Sequence, residues 1–369
     1  MTNDGGGLWS GGGSKLTMSQ STLSNNSAAT SGGGLWLYGA QVTITNTTLS
    51  GNTAKLDGAG IYNTESGSLQ LLSSVLFDNT ATGSGGGIYN RSTLVVSNST
   101  LSGNTATAND GGGLWSGGGS QITVNQSTLS DNSAGYSGGG LWLYGAQTTI
   151  GNSLVSGNVA PRGKEIQQDN STAGGIFNSQ GHNLFGENGA SGVDGVALSA
   201  SDLILAGAVN TALSPLANNG GTTLTHLLVT GGPASNAGNN ALIPAGTDTD
   251  QRGTGFPRLL NGTVDIGAVE VITVATYTVI ATAGANGSIS PASRTVGNGS
   301  TTTFTVTPNA SYSAVVSGCG GTLSGTTYTT GPITAACTVS ASFTQQTYTV
   351  TATAGANGSI SPASRTVGN

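Results

Sequence analysis

The sequence predicts an all-β protein, in which a right-handed, single-stranded parallel β-helix is followed by small β-sheet modules. A glycine-rich motif ending in Leu-Trp or Ile-Tyr recurs every 26 or 27 residues, and a second motif such as STLSGNTA recurs in phase with it. Each repeat holds three short runs of strand-forming residues, separated by Gly, Ser, Thr and Asn, which form turns. This pattern is typical of solenoids whose coils stack through parallel strands.

The glycine-rich motif sets the length of each coil. Its copies are GGGLWS (5–10), GGGLWL (32–37), GAGIYN (58–63), GGGIYN (85–90), GGGLWS (111–116) and GGGLWL (138–143). Residues 3–54 and 109–160 are identical at 39 of 52 positions, so a block of coils is duplicated. A leucine-rich repeat is excluded, because its LxxLxLxxN signature is absent and no repeat contains a stretch with helical periodicity.

Three aliphatic columns are predicted to fill the interior of the β-helix. They are Leu8, Leu35, Ile61, Ile88, Leu114 and Leu141; Met18, Ile44, Leu71, Val96, Val124 and Ile150; and Leu23, Leu49, Leu76, Leu101, Leu129 and Val155. The second and third columns are five residues apart, which on a straight strand would place them on opposite faces. The chain must therefore turn a corner between them. We expect side-chain amides at the corners to hydrogen-bond from coil to coil, and these residues are Gln20, Asn46, Asn98, Gln126 and Asn152.

The composition excludes several classes of protein. The 369 residues include 63 Gly but only 7% charged residues, and the net charge is −6. Nine Lys and Arg cannot build the basic face that a nucleic-acid-binding protein needs, so we expect no nucleic-acid partner. With 35% hydrophobic residues and little charge, disorder is disfavoured. No run of 18 apolar residues occurs, so no membrane-spanning helix is expected.

Four segments are predicted along the chain. Residues 1–170 form the regular coils, and residues 171–275, where the period fails, form terminal coils and a capping region. Residues 276–346 form a small β module. Residues 347–369 begin a second copy of it, because TYTVIATAGANGSISPASRTVGN (276–298) returns 71 residues later with one difference. Since both ends fall within repeats and no leader is visible, we expect the sequence to be a piece of a longer reading frame.

These motifs resemble those of known bacterial surface proteins. The unit of GGGIYN plus STLSGNTA resembles the repeat of chlamydial polymorphic outer-membrane proteins and related autotransporter-like passengers. Residues 170–271, with NLFG, SPLANNGGTTLTHLL and DIGAVE, resemble the end of the β-helix in proteins with a choice-of-anchor Q domain. Residues 277–346 resemble divergent internalin B-repeat-like modules. The resemblance implies secretion and display at the bacterial cell surface, associated with the outer membrane, and it supplies no catalytic residues.

One outward position of the repeat is always aromatic. It holds Trp9, Trp36, Tyr62, Tyr89, Trp115 and Trp142, which we call the aromatic column. Because each follows an inward Leu or Ile, strand alternation directs these rings outwards. The column either binds sugar rings or a partner protein, or it is a structural ladder of stacked rings. The second interpretation is favoured.

Six of the 24 charged residues are concentrated between positions 248 and 270. They are Asp248, Asp250, Arg252, Arg258, Asp265 and Glu270. The cluster is either a metal or anion site or an ion-paired cap over the exposed end of the β-helix. The cap is favoured. No metal site and no cofactor are predicted, since His182 and His226 lie alone and no ligand spacing or nucleotide-binding motif occurs.

Two smaller features complete the candidate sites. Cys319 and Cys337 are the only cysteines, and they lie 18 residues apart in one module of a protein that looks exported, so a disulfide is expected. The residue before each glycine cluster alternates between Asp and Ser, which favours turn chemistry over a calcium site or a catalytic carboxylate pair. These residues are Asp4, Ser31, Asp57, Ser84, Asp110 and Ser137.

The sequence therefore predicts a non-catalytic, extracellular or surface-exposed bacterial protein that is structural or adhesive. Its expected partners are a polysaccharide or the surface of a host or neighbouring cell. Two alternatives stay open. One is a polysaccharide lyase or glycoside hydrolase, since β-helices host such enzymes, although the regular coils carry only Lys15, Lys55 and Arg91 as bases. The other is a carbohydrate-binding module that uses the aromatic column.

Overall fold

A computed structural model describes residues 5–169, 174–260, 262–272 and 276–368. The chain divides into two compact units, residues 1–272 and residues 273–369. The first unit thus includes both the predicted coils and the predicted capping region. No helix among the described residues is long and apolar enough to cross a membrane.

The first unit is built from short strands that repeat coil by coil. In chain order these are β1 (Leu8–Gly11), β2 (Lys15–Ser19), β3 (Thr22–Ser24), β4 (Ser27–Ala28), β5 (Leu35–Tyr38), β6 (Gln41–Thr45), β7 (Thr48–Ser50), β8 (Thr53–Ala54), β9 (Ile61–Thr64), β10 (Ser68–Leu72), β11 (Val75–Phe77), β12 (Thr80–Ala81), β13 (Ile88–Asn90), β14 (Thr93–Ser97), β15 (Thr100–Ser102), β16 (Thr105–Ala106), β17 (Leu114–Gly117), β18 (Gln121–Asn125), β19 (Thr128–Ser130), β20 (Ser133–Ala134), β21 (Leu141–Tyr144), β22 (Gln147–Gly151) and β23 (Leu154–Ser156). Less regular coils follow, with β24 (Ile166–Asp169), β25 (Ile176–Ser179), β26 (Leu184–Phe185), β27 (Val193–Asp194) and β28 (Leu203–Ile204), and then two 3₁₀ helices, Val209–Thr211 and Asn240–Leu242.

Every described coil but the last contributes one strand to each of three long parallel sheets, as the sequence predicts for a parallel β-helix. Within the described residues, sheet 1 has the order β1-β5-β9-β13-β17-β21-β24-β27, sheet 2 the order β2-β6-β10-β14-β18-β22-β25, and sheet 3 the order β3-β7-β11-β15-β19-β23-β26-β28. A short fourth sheet, which the sequence did not predict, has the order β4-β8-β12-β16-β20. The strands pair in register, so Trp9 lies beside Trp36 and Leu8 beside Leu35.

The three predicted aliphatic columns form the interior. Ile44, Leu49 and Ile61 are completely buried, and their equivalents in neighbouring coils join them in one continuous core. Burial of each such side chain contributes about 1.5–3 kcal/mol. Since one coil cannot cover its own apolar face, the core depends on stacking.

The predicted corners between sheets 2 and 3 are present, but they do not carry the predicted amide ladder. The corner residues have positive φ, for example 50° at Asn46 and 47° at Asn152. One bond joins the corners of adjacent coils, from Asn98 Nδ2 to the Ser73 hydroxyl at 3.1 Å. The others lead to the side of the β-helix, since Asn98 also donates to the Thr249 carbonyl and Asn152 donates to the Asn239 carbonyl. No continuous amide ladder runs along the described corners, because Ser73 interrupts the amides and Asn152 is bonded to Asn239, so the expectation of a corner ladder was wrong.

The amide ladder lies instead at the asparagine of the STLSGNTA motif, inside the turn before sheet 4. In each coil this side chain donates through Nδ2 to Oδ1 of its equivalent in the next coil, over 2.8–2.9 Å. The members of this Asn ladder are Asn26, Asn52, Asn79, Asn104, Asn132 and Asn158, and Glu165 accepts the last bond. The ladder satisfies polar groups that would otherwise be buried without partners.

Residues 205–260 and 262–272, which we call the side segment, fold back along the outer face of sheet 3. Leu213, Leu228 and Ile266 of this segment pack with Leu154 and Leu184 in a second apolar cluster. The outward residues of sheet 3 change from exposed in β3 to fully buried in β15, β19 and β23, which the side segment covers. The side segment therefore thickens one wall of the β-helix.

The second unit contains the predicted module and the start of its copy. The module strands are β29 (Thr276–Ala283), β30 (Gly287–Ser290), β31 (Ser293–Gly297), β32 (Thr303–Pro308), β33 (Tyr312–Ser317), β34 (Thr322–Ser324), β35 (Thr327–Thr329) and β36 (Cys337–Gln345), and β37 (Thr347–Thr351) and β38 (Ser364–Gly368) follow. The module sheets have the orders β31-β29-β36-β33 and β30-β32-β35-β34 around Val279, Phe304 and Tyr328. β37 pairs with β38 in the register of β29 with β31, as a second copy requires.

Candidate functional site

The aromatic column projects from sheet 1, and its rings contact one another from coil to coil. The ring centroids are 5.5 Å apart for Trp36 and Tyr62, 5.0 Å for Tyr62 and Tyr89, 4.1 Å for Tyr89 and Trp115, and 5.6 Å for Trp115 and Trp142. Parallel rings 4.1 Å apart must overlap face to face. From Tyr62 to Trp142 the planes stay within 17° of parallel, so these rings form a continuous stack.

Stacking limits how a ligand can use the column. A sugar ring binds an aromatic side chain by covering its face, and inside this stack neighbouring rings already cover the faces. Trp115 is only 8% exposed, and its ring lies close to Gly117, where a Cβ atom would come within 2.6 Å of it. The middle of the column is therefore a structural ladder whose ring faces are covered by neighbouring rings.

The two ends of the stack differ, although the tryptophan at each end lies in a copy of the same Leu-Trp-Leu-Tyr strand. Trp36, in β5, meets the edge of Tyr62 at 89°, while Trp9, one coil earlier, is 57% exposed. Trp142, in β21, stacks on Trp115 and also on Tyr144, at 5.6 Å and 8°. In the next coils its position is taken by polar residues, Gln167 and then Asp194.

A cavity of about 520 Å³ lies where the column becomes polar, and we call it the terminal groove. It is lined by Tyr136, Ser137, Trp142, Arg162, Gln167, Gln168, Asp169, Asp194 and Gly195. The Arg162 guanidinium donates to the Tyr136 hydroxyl at 2.9 Å. A second cavity of about 480 Å³ shares Asp194 and adds Lys164 and Glu187. Both volumes are in the range of small-ligand sites.

A smaller cavity of about 330 Å³ lies at the other end of the stack. It is lined by Trp36, Tyr38, Tyr62, Thr64, Glu65, Arg91 and Gly118. Tyr38 is 48% exposed, and Glu65 and Arg91 are exposed. Each end of the column thus combines aromatic rings with charged side chains, which sequence analysis did not anticipate because the charges come from neighbouring coils.

The charged cluster of the side segment is buried and ion-paired, but it does not cover the end of the β-helix. Arg252 pairs with Asp250 at 2.6 Å, and Arg258 pairs with Glu270 at 2.8 Å. Arg258 also contacts Asn98, a corner of the β-helix, so the cluster lies against the side of the coils. The cap prediction was wrong in this respect.

The physical reason is that the end of the interior is covered by other residues. Val193, Val196 and Leu198 pack against the core of the β-helix after its last regular coil. Asp248, the remaining member of the predicted cluster, is exposed, and its carbonyl accepts a hydrogen bond from Arg258. Beside the Arg258–Asn98 contact, the side segment hydrogen-bonds sheet 3 directly. Thr100 donates to Gln251 at 2.5 Å, and the Ala268 N–H donates to Thr128 at 3.1 Å.

Burial raises the pKa of two carboxyl groups in this cluster. The three buried carboxyl groups of Asp250, Asp265 and Glu270 face only two guanidinium groups, so one negative charge is left unbalanced. Burial raises the pKa of Asp265, and it raises the pKa of Glu270 to about 8 although Arg258 opposes the shift. Burial thus favours the protonated form of these carboxyl groups, while the guanidinium of Arg258 favours their ionised form.

The histidines also join the side segment to the coils. His226 donates through Nδ1 to the Ser214 carbonyl at 2.7 Å, and its Nε2 accepts from the Ser102 hydroxyl at 2.9 Å. Burial lowers the pKa of His226. His182 bonds the Ala237 carbonyl at 3.0 Å. Among the described residues, no group of three or more His, Cys, Asp or Glu side chains is placed to hold a metal ion.

The alternating Asp and Ser residues act in turns. Asp57 accepts a hydrogen bond from the Ser84 backbone at 2.7 Å, and its own N–H donates to Ser31 at 3.2 Å. Burial raises the pKa of Asp110 to about 6, opposed by hydrogen bonds from Ser137. The residues thus link consecutive coils, and Asp4 lies outside the described residues.

The predicted disulfide is present, because Cys319 and Cys337 are bonded across a sequence separation of 18. It connects the loop after β33 to the start of β36, and both cysteines pack at the edge of the module core.

Comparison with known proteins supports the fold. No curated protein and no solved structure gives a significant match to the chain. The finer resemblances to outer-membrane-protein repeats, choice-of-anchor domains and internalin-type modules therefore remain predictions. A β-helix carries enzymes and structural proteins alike, so the fold alone does not decide the activity. Residues 1–160, the regular coils described above, match the family model of the right handed beta helix region.

Proposed function

We propose that this chain belongs to an exported bacterial surface protein, in which the β-helix is a rigid, non-catalytic stem that contacts glycans or another cell surface. The observation that carries the proposal is the continuity of the ladders. Aliphatic, amide and aromatic columns run through successive coils, and each polar or aromatic group in them is occupied by its copy in the next coil. Such a coil-to-coil arrangement stabilises a stiff rod and leaves few groups for chemistry.

The disulfide supports export. Structural disulfides persist in oxidising compartments and are rare in the cytosol. Cys319 and Cys337 are the only cysteines of the chain, and they are paired with each other. The protein is therefore expected outside the cytoplasm, at the cell surface and associated with the outer membrane.

Export is tested by labelling intact cells of the source bacterium with an antibody against the coils, with permeabilised cells as the control. We expect equal labelling of both, and loss of the signal after protease treatment of intact cells. Labelling that appears only after permeabilisation would contradict surface display. Alkylation of Cys319 and Cys337 in the native protein before and after reduction checks the disulfide in the same sample.

A polysaccharide-active enzyme remains the second candidate, because one observation favours it. The terminal groove places the carboxyl groups of Asp169 and Asp194 near Arg162, and a carboxylate pair or an arginine can act on a sugar chain. Release of reducing or unsaturated sugars from a polysaccharide panel tests this candidate. Release that stops in Asp194→Asn would establish an enzyme and overturn the non-catalytic proposal.

A further inference from the structure

We propose that the cavity of about 330 Å³ beside Trp36 binds a phosphocholine group, whose trimethylammonium contacts aromatic rings and whose phosphate contacts an arginine. We call this cavity the aromatic pocket, and it is lined by Trp36, Tyr38, Tyr62, Thr64, Glu65, Arg91 and Gly118. The inference rests on the proposed function, because it names a chemical group that the stem would recognise on the surface it contacts.

The first argument is the angle between the rings of the pocket. Trp36 meets Tyr62 at 89°, with ring centroids 5.5 Å apart, whereas the successive rings from Tyr62 to Trp142 stay within 17° of parallel. Perpendicular rings form two walls of the pocket, and Tyr38, which is 48% exposed, lines it as well. Several rings around one space are the arrangement that recognises a quaternary ammonium group, because the faces of aromatic rings attract cations.

The duplicated coils show that this arrangement depends on the tyrosine at the end of the strand. β5 and β21 have the same sequence, Leu-Trp-Leu-Tyr. In β21, Tyr144 stacks on Trp142, with centroids 5.6 Å apart and planes at 8°. In β5, Tyr38 stacks on no ring of the described part of the chain. Tyr38 can therefore contact a ligand with its ring, while the equivalent ring of Tyr144 is occupied.

The second argument is a carboxylate beside the rings. Glu65 lines the aromatic pocket, is exposed, and forms no ion pair with a residue that the structure describes. A carboxylate next to aromatic rings attracts a cation through its own charge as well as through the rings. This part of the pocket therefore suits a positively charged group.

The third argument is an arginine with free donors. Arg91 and Glu65 line both the aromatic pocket and a neighbouring cavity of about 440 Å³. The guanidinium has no side-chain hydrogen bond or ion pair within the described ranges, and Gly118 leaves room beside it, since a Cβ atom there would lie 3.4 Å from Nε. Asp57 also attracts Arg91, but this carboxyl accepts a hydrogen bond from the Ser84 backbone. A guanidinium with unused N–H groups is suited to a phosphate.

The two opposite charges decide the class of ligand. A ligand with only a positive charge would be repelled by Arg91, and a ligand with only a negative charge would be repelled by Glu65. A zwitterion satisfies both residues, and phosphocholine joins a cation to a phosphate through a short carbon linker. Its methyl groups also bury apolar surface against the rings, whereas the ammonium of phosphoethanolamine has no methyl groups.

Calorimetry of the full chain with phosphocholine, choline, phosphoethanolamine and inorganic phosphate tests the inference. We expect phosphocholine to bind, and each of the other compounds to bind at least about tenfold more weakly. Tyr38→Ala and Arg91→Met should each weaken phosphocholine binding by about tenfold. Tyr38→Phe should retain most of the affinity, because it keeps the ring. Tyr144→Ala, the same substitution in the duplicated strand, is the matched control and should bind as the wild type does.

Three outcomes would overturn the inference. They are absence of phosphocholine binding, equal affinity for phosphoethanolamine, and an equal loss in Tyr38→Ala and Tyr144→Ala. Both Tyr38 and Arg91 are exposed, so their variants should fold, and circular dichroism checks this. If one variant does not fold, the other still decides the test.

Two further measurements separate the source of the ligand and the proposed function from the pocket itself. Flotation with phosphatidylcholine vesicles, beside phosphatidylglycerol vesicles, distinguishes a lipid head group from phosphocholine on a soluble carrier. Flotation that is lost in Tyr38→Ala identifies the lipid, and binding of free phosphocholine without flotation identifies the soluble carrier. Surface labelling of intact cells does not depend on these results, so failure of the pocket and failure of the export proposal are distinguishable.

Discussion

Asn158 and Glu165 end the Asn ladder, since Nδ2 of Asn158 donates to Oε2 of Glu165 at 2.5 Å. The other carboxylate oxygen accepts from the backbone N–H of Gly157 at 3.1 Å. Only 1% of Glu165 is exposed. Asn158, the last asparagine of the ladder, needs an acceptor for its side-chain NH₂ group. The Glu165 carboxyl supplies that acceptor, whereas another amide would also bring two N–H donors that need partners.

Stability should fall with rising pH because of this residue. Burial raises the pKa of Glu165 from 4.5 to about 8, although hydrogen bonds from Asn158 oppose the shift. The folded state therefore holds a proton that the unfolded state loses above pH 4.5. Its stabilising contribution is complete below that pH and is lost as the pH rises through about 8, by at most about 1.4 kcal/mol per pH unit.

The variant Glu165→Gln isolates this effect, because it cannot ionise. We expect it to be less stable than the wild type at pH 5, since its NH₂ group faces the Gly157 donor, and the difference should shrink towards pH 9. The measurement is urea unfolding followed by tryptophan fluorescence, as all four tryptophans lie in the coils. Glu65→Gln, at an exposed carboxylate, is the control. A difference that does not change with pH would refute the prediction.

Arg258 should be essential for the attachment of the side segment. Its guanidinium is 1% exposed and bonds Glu270 and the Asp265 carbonyl, at 2.8 and 2.9 Å. Arg258→Met leaves the buried carboxyl groups of Asp250, Asp265 and Glu270 facing Arg252 alone, which costs about 3–5 kcal/mol. The cost should be larger at pH 9 than at pH 5, because at low pH the carboxyl groups take up protons.

Two further variants separate charge pairing from simple damage. The double variant Arg258→Met with Glu270→Met removes both partners and should recover part of the lost stability. Arg91→Met, at an exposed arginine of the coils, should change the free energy of unfolding by less than about 0.5 kcal/mol. Urea midpoints at the two pH values give all these quantities. If the double variant recovers none of the lost free energy of unfolding, Arg258 stabilises the side segment by something other than its pairing with Glu270.

Asn52 and Asn46 should respond differently to substitution, although they are six residues apart in one coil. Asn52 is fully buried, donates to Leu23 and Asn79, and accepts two bonds from Asn26. Asn52→Ala should cost about 3 kcal/mol or more, since several buried groups lose their partners. Asn46 has a φ of 50°, so Asn46→Gly should stay within about 0.5 kcal/mol.

Thermal unfolding of both variants beside the wild type makes the comparison. Similar losses in the two would indicate that the corner asparagine also bonds through its side chain, contrary to the structure. A small effect of Asn52→Ala would indicate that the ladder contributes little to stability.

The repeat made most of the fold predictable, because stacking turns each recurring position into a column. Leu49 and Leu76 could be placed inside from their period alone, and so could the corner at Asn46. The Asn ladder has a visible signal as well, since every STLSGNTA-type motif has asparagine at one position, but the recurring amides at the corners give the same signal. The repeat cannot show which of two recurring asparagines points along the axis, because that depends on local backbone geometry.

Features that depend on contacts between distant, non-repeating residues were not predictable. The side segment has no period, and its anchor joins Arg258 to Asn98, residues 160 positions apart. The terminal groove likewise forms because Gln167 and Asp194 continue the position of Trp142 in irregular coils. Only the three-dimensional register shows that the aromatic column ends among carboxylates.

Loss of the disulfide should loosen the module around β36. The bond between Cys319 and Cys337 joins residues 18 positions apart. Without it the unfolded chain gains conformational entropy, which lowers the stability of the folded module by about 3 kcal/mol. In the variant Cys319→Ser with Cys337→Ser, we expect faster amide exchange in peptides from residues 276–346, measured by mass spectrometry. Peptides from the coils serve as the internal control and should exchange as in the wild type. Because Tyr328 is fully buried beside the bridged loop and bonds the Gly318 carbonyl, peptides containing it should show the largest change. Unchanged exchange there would mean that the core of Val279, Phe304 and Tyr328 holds the module without the cross-link.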